Sequence, residues 1–316
     1  MLSMREIGVL QALLAAGVLF ALLTPHFLTA SNLLLVMRQM ALLAIITVGM
    51  TFVLASGEVD LSVGWIFNMV MSAMAVVIVR LDVNPWVAVL LGLALGALLG
   101  AINGSLAVFL GLPTIIVTLG TMTVFRGFAL ALNKGRAVSG LPESTFFRIG
   151  TGSVGPVSYM TIIMLVVVVV TAWILRNTRF ARHLLAMGSN SAAAARVGIR
   201  VRRLRILVMT FSGLMCGIAG VIGLAYLGAA DAQSGTGYEL SAIAASIVGG
   251  AQLGGGAGTV WGSLIGITLI MAIQNGLVLV GLRPGWQIAS TGVVIIGAVT
   301  LDYITRTRRA RVAGAR

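Results

Sequence analysis

The chain has 316 residues, 59% of them hydrophobic and only 9% charged, with a mean hydropathy of +1.08 and a formal net charge of +13. Soluble domains are about 25% charged, so this composition cannot coat a water-facing surface and is that of an integral membrane protein. The positive charge does not point to nucleic acid, because it sits in blocks beside apolar runs. Eight arginines fall between Arg176 and Arg205 and five between Arg306 and Arg316, the pattern of cytoplasmic segments.

Ten helical membrane segments are predicted, near 7–23, 33–55, 62–80, 86–110, 114–132, 159–175, 206–228, 241–253, 259–281 and 286–304. The first is kept as a span and not a signal peptide, since "TPHF" follows it in place of a small-residue cleavage site. Between the second and third stands "GEVDLSVGWI" (57–66), which holds Glu58 and Asp60, two of only 8 acidic residues. A carboxylate at the bilayer centre costs at least ~2.5–3.5 kcal/mol, so these two are expected in a turn where they are wet, paired or near the interface. Asp60 suits the cap of the following helix, with Ser62 as a competing cap. A proton relay is the functional alternative, but His26 and His183 lie outside the apolar runs and leave it few titratable partners.

The spans themselves carry Asn68, Asn103, Thr118, Thr121, Thr123, Gln274 and Asn275. In hydrocarbon such groups need partners, either on a neighbouring helix or on a passing solute. As a set they suit a neutral polar solute better than an ion and are the candidate pathway residues. Arg126 is the exception and is expected to snorkel to the interface or pair with an acid. After a Gly-, Pro- and Ser-containing external loop at 133–158 and the sixth segment comes the long basic loop 176–205. In it, Ser189 and Asn190 form a turn and N-cap signal ahead of an Ala-rich run that stops at Gly198. A short helix with a small surface can dock into a groove of a soluble partner; the alternative is an interfacial helix held by anionic lipid.

The single cysteine, Cys216, lies in the seventh segment and is read as a packing residue. With only 2 His besides, no metal-ligand spacing exists. "GGAQLGGGAGTVWGS" (249–263) lacks the Gly-Lys-Ser/Thr ending and the preceding strand of a phosphate loop, so it reads as a break between membrane segments. The short eighth segment is counted as a crossing because the basic loop and the basic tail must share one side. That parity places both termini in the cytoplasm. Finally, "AINGSLAVFLGLP" (101–113) resembles "AIQNGLVLVGLRP" (272–284), and "DLS" (60–62) matches "ELS" (239–241). Five crossings separate Asp60 from Glu239, so the copies, approximately 33–132 and 206–304, are predicted to be inverted repeats, as in many transporters. Glu239 joins Glu58 and Asp60 as a structural or gating candidate.

Four stretches carry a family resemblance: "SGEVDLSVG" (56–64), "LPTIIVTLGTMTVFRGFAL" (112–130), "TRFARHLLAMGSNSAAAARVGI" (178–199) and "GYELSAIAASIVGGAQLGGGAGTVWGSLIGI" (237–267). The chain resembles the membrane-spanning permease subunits of bacterial ATP-binding-cassette (ABC) importers, in the branch for ribose, xylose, rhamnose, galactose and autoinducer-2. The resemblance implies a single membrane domain of about ten helices that pairs with a second permease copy or paralogue in the inner membrane. ABC ATPase subunits, which carry the ATP and Mg, would bind below, and a periplasmic sugar-binding protein would deliver solute from above. This chain would then bind no cofactor and would not be an enzyme. Residues 188–199 look like the family's coupling helix, with Gly188, Ser189, Asn190, Ala193, Ala194 and Gly198 as its candidate residues. Ala192 and Ala193 stand where related permeases often have an acid. The expected function is sugar uptake by alternating access. The alternatives are a proton-coupled transporter using Glu58, Asp60 or Glu239, and a non-transporting membrane scaffold or receptor.

Overall fold

A computed structural model of the chain describes residues 4–283, 285–294, 296–297 and 300. The helices are α1 (Met4–Leu23), α2 (Ala30–Ala55), α3 (Val63–Leu81), α4 (Pro85–Leu110), α5 (Thr114–Asn133), α6 (Arg148–Thr151), α7 (Tyr159–Asn177), α8 (Arg179–Ser189), α9 (Ser191–Arg196), α10 (Val201–Leu227), α11 (Tyr238–Val248) and α12 (Val260–Leu279). Seven of them, α2, α3, α4, α5, α7, α10 and α12, are long and apolar enough to cross a membrane, while α11 and the apolar part of α1, Ile7–Leu23, are shorter. The protein is an all-α polytopic membrane protein. The tenth predicted segment, 286–304, falls only partly on described residues, which are helical from 285 to 294, and the basic tail lies outside them.

α2 and α10 form the centre. α10 packs against α4, α2 and α3, and α2 packs against α10, α11, α12 and α7. Lipid gives no hydrophobic drive between helices, so close backbone approach has to supply the attraction. Along the α4–α10 seam a Cβ added to Gly96 would stand 2.8 Å from Gly217 Cα, and one added to Gly100 would stand 3.0 Å from Gly213 Cα. The α2 contact with α11 and α12 uses hydroxyls: Thr51 donates to Ser263 Oγ at 2.8 Å and lies 3.3 Å from Ser246 Oγ.

Three boundaries differ from the sequence expectation. α10 begins at Val201, so Arg202, Arg203 and Arg205 occupy its first turns and are not part of the preceding loop. The basic loop folds into two helices, α8 and α9, where one was expected. The eighth segment is helical over Tyr238–Val248 and not 241–253, because Gly249 caps it and Gly250 takes φ 98°. At 1.5 Å per residue, the 11 residues of α11 cover about half of a ~30 Å hydrocarbon core. The chain on both sides of α11 is irregular. After α10 the segment 228–237 returns along α3: Asn68 Nδ2 donates to the carbonyls of Asp231 (2.9 Å) and Ser234 (2.8 Å), and Gly235 lies against Gly64 and Phe67. A second irregular stretch, 56–62, links α2 to α3.

Opposite the basic loop, the connection after α5 carries α6 and a two-residue hairpin, Ser153–Val154 with Val157–Ser158. Arg38 ties it to the bundle by donating to Gly150 O at 3.0 Å, with its guanidinium 4.7 Å from the Tyr226 ring centroid.

Candidate functional site

At the basic end Thr178 starts α8 by accepting the Ala181 amide at 3.2 Å. The helix buries Ala181, Leu184 and Met187 and exposes Arg179, Arg182 and His183, so its apolar stripe holds it to the bundle. Asn190 then breaks the direction and restarts the chain: its Oδ1 accepts the Ala193 amide at 2.9 Å, capping α9. α9 ends before Gly198, whose φ of 86° favours glycine. Ala194 is buried, while Ser191, Ala192, Ala193, Ala195, Arg196 and Val197 are exposed, leaving a small-residue surface pointing away from the bundle.

The residue before this helix pair's corner is held by backbone. Gly188 lies against the Ala55 carbonyl, the Gly256 amide and Ser56, with no room for a Cβ. The Gly256 amide donates to Ala55 O at 2.9 Å, and a Cβ on Gly255 would stand 2.7 Å from Gly57 Cα. Three chain segments thus touch without intervening side chains: the end of α8, the start of the 56–62 turn and the glycine-rich break after α11. Beside them opens a cleft of about 670 Å³ lined by Glu58, Thr114, Gly188, Asn190 and Arg205 among others.

From this junction a polar network runs inward. Glu58 Oε1 pairs with Arg205 Nε at 2.5 Å, and its Oε2 accepts from Thr114 Oγ1 at 2.7 Å. Thr114 and Thr118 of α5 take the amides of Val59 (3.3 Å) and Leu61 (3.1 Å), satisfying the backbone of the irregular turn. Asp60 is fully buried and accepts from the Ser62 amide (2.9 Å), Ser62 Oγ (2.6 Å) and Ser212 Oγ (3.1 Å). Asn103 Nδ2 donates to Ser62 Oγ at 2.7 Å. Ser62 occupies the N-cap position of α3 but makes no side-chain cap bond, because its hydroxyl is committed to Asp60.

The seven polar pathway candidates therefore do not form one set. Asn103 and Thr118 belong to the acid network. Asn68 holds the 228–237 return and accepts from Ser72, which in turn accepts from Asn133. Thr121 and Thr123 bond back to carbonyls of α5. Gln274 donates to Thr291 at 2.9 Å and Asn275 exchanges bonds with Asn32 at 2.9 and 3.0 Å, both away from the acid network. Arg126, expected to snorkel or to pair with an acid, is exposed and stacks over Trp65, with Cζ 5.0 Å from the ring centroid. Glu239, in the first turn of α11, lies against Gly64, and its Oε2 has no hydrogen-bond partner among the described residues. No group of three or more His, Cys, Asp or Glu residues gathers among the described residues.

Sequence reasoning missed α8, Thr114, Ser212 and the role of Arg205. α8 had a readable signal in Thr178 followed by Ala181, Leu184 and Met187 at helical spacing. Arg205 was masked by its seven neighbouring arginines.

Residues 32–301 match the family described as branched-chain amino acid transport system / permease component. The ribose import permease protein of Bacillus subtilis (strain 168) is 38% identical over 95% of this chain and 93% of its own length. That of Escherichia coli (strain K12) is 38% identical over 93% of this chain and 92% of its own. An autoinducer 2 import system permease protein of Klebsiella pneumoniae is 33% identical over 98% and 90% respectively. The chain belongs to this permease family, in the ribose and simple-sugar branch that these relatives mark out.

Proposed function

We propose that the chain is the membrane subunit of an ABC importer that takes up a sugar or sugar-like solute by alternating access. The observation that carries this is the backbone junction at Gly188. The exposed small-residue helix α9 leaves from the same point at which both the 56–62 turn and the break after α11 are held. A partner that pushes on α9 therefore pushes on α2, α3 and α11 together. The names of the relatives supply the solute class, and an ATPase carrying ATP and Mg supplies the drive through its differential affinity for open and closed states. A periplasmic binding protein, a second permease copy or paralogue, a bacterial inner-membrane location and cytoplasmic termini complete the proposal.

The inverted repeats, about 33–132 and 206–304, belong to it too. They are supported by reciprocal packing: α2 rests on α11 and α12 of the other half, while α10 rests on α3 and α4. Proton coupling through Glu58 or Asp60 is disfavoured by their occupancy, one by Arg205 and the other by three hydrogen bonds. Deleting 188–199 is expected to abolish co-purification of the ATPase; stoichiometric binding without that segment would sink the proposal.

A further inference from the structure

Two helices begin inside the bundle, side by side. α3 starts at Val63 after the 56–62 turn and α11 at Tyr238 after the 228–237 return, and Gly64 meets both Gly235 and the Glu239 carboxylate. The amides of Val63 and Gly64 are in the first turn of α3, where a helix offers them no partner, and the positive ends of both helix dipoles converge there. Glu239 is only 8% exposed, yet its Oε2 has no hydrogen-bond partner among the described residues. A Cβ on Gly64 would clash with Gly235 O and stand 2.7 Å from Glu239 Oε2, so only glycine lets the carboxylate come this close to the start of α3. The two acids of the 56–62 turn, Glu58 and Asp60, are by contrast fully engaged. Leaving a buried acceptor unpaired is costly unless something arrives to pair it. Thr236 and Leu240, on either side of Glu239 in the chain, are exposed.

We propose that Glu239 Oε2 and the first turn of α3 form a binding station for a neutral solute bearing adjacent hydroxyls. One hydroxyl donates to Glu239 and its neighbour accepts from the α3 amides. A cation would use the carboxylate but not the amides, and an anion would meet the carboxylate as a like charge. This deepens the importer proposal and rests on it for the direction of movement, though not for the binding itself.

Two measurements on the assembled transporter test it. Glu239→Gln is expected to raise the KM for D-ribose uptake about tenfold or more, as loss of a charge-assisted bond does, with ATPase co-purification unchanged. Glu239→Asp, which keeps the acceptor, is expected to recover part of that loss. Second, Glu239→Cys adds a thiol while the native Cys216 is fully buried. In membranes a charged methanethiosulfonate reagent should label it, and D-ribose, D-xylose or L-rhamnose should slow the labelling. A wild-type KM in Glu239→Gln, or labelling unaffected by all three sugars, overturns the station. Should the wild type show no ATP-dependent uptake, the importer proposal fails while sugar protection of the thiol still supports the station.

Discussion

Arg205 is one of eight arginines between Arg176 and Arg205, and among the described residues it is the one of that block paired with an acid. Its side chain is 29% exposed and that of Glu58 10%, so water screens the pair in part. A partly screened pair contributes about 1 kcal/mol. Arg205→Met should therefore lower the unfolding midpoint in detergent by about 2–4 °C, and Glu58→Gln by a similar amount. The double variant should lose less than the sum, because each single change already breaks the same contact. Strict additivity in a thermal-shift series would show that the two act independently. Charge density in the sequence located the basic end and the spacing of Glu58 and Asp60 located a polar turn. Which arginine turned inward was not legible, because side-chain pairing depends on how α10 lies against α2, and one-dimensional spacing carries no such distance.

α9 shows what an element gains from its cap. Six residues cannot sustain a helix on propensity alone, since nucleation fixes several residues for one hydrogen bond. The Asn190 cap and the anchoring of Ala194 have to supply the difference. Removing the cap with Asn190→Ala costs about 1 kcal/mol, enough to leave so short a helix frayed much of the time. ATPase co-purification should fall accordingly, and Asn190→Asp, which retains the acceptor, should restore it. Wild-type pull-down by Asn190→Ala would mean that α9 is held by its flanks and not by its cap. This cap was legible because Asn followed by Ser and four Ala is a local signal. α8 is harder to read because its three buried apolar residues sit among arginines. The C-terminal end of α11 is misleading in the sequence because Leu253 and Ala251 extend the apolar run while the backbone obeys Gly249 and Gly250.

Across the whole molecule, the membrane class and the long spans were readable from composition and hydropathy. The exchange of partners between α2, α11 and α12 on one side and α10, α3 and α4 on the other is not, since the long apolar runs of α2 and α10 do not mark which neighbours each takes. That exchange bears on the energy source. A proton-coupled carrier needs a carboxylate that takes up and releases a proton as its access alternates. Glu58 is tied to Arg205 and Thr114, and Asp60 has no exposed surface and accepts three hydrogen bonds, so both are committed to the network that holds the 56–62 turn. Of these three acids only Glu239 has a buried oxygen without a hydrogen-bond partner among the described residues, and no second acid is in contact with it there to serve as a relay. On the importer proposal the work enters mechanically, at α9 and through the Gly188 junction. In proteoliposomes containing the permease, its ATPase and binding protein, sugar uptake should stop when ATP is omitted and continue when a protonophore collapses the pH gradient. Uptake by the permease alone, driven by an imposed gradient and indifferent to ATP, would reverse that assignment.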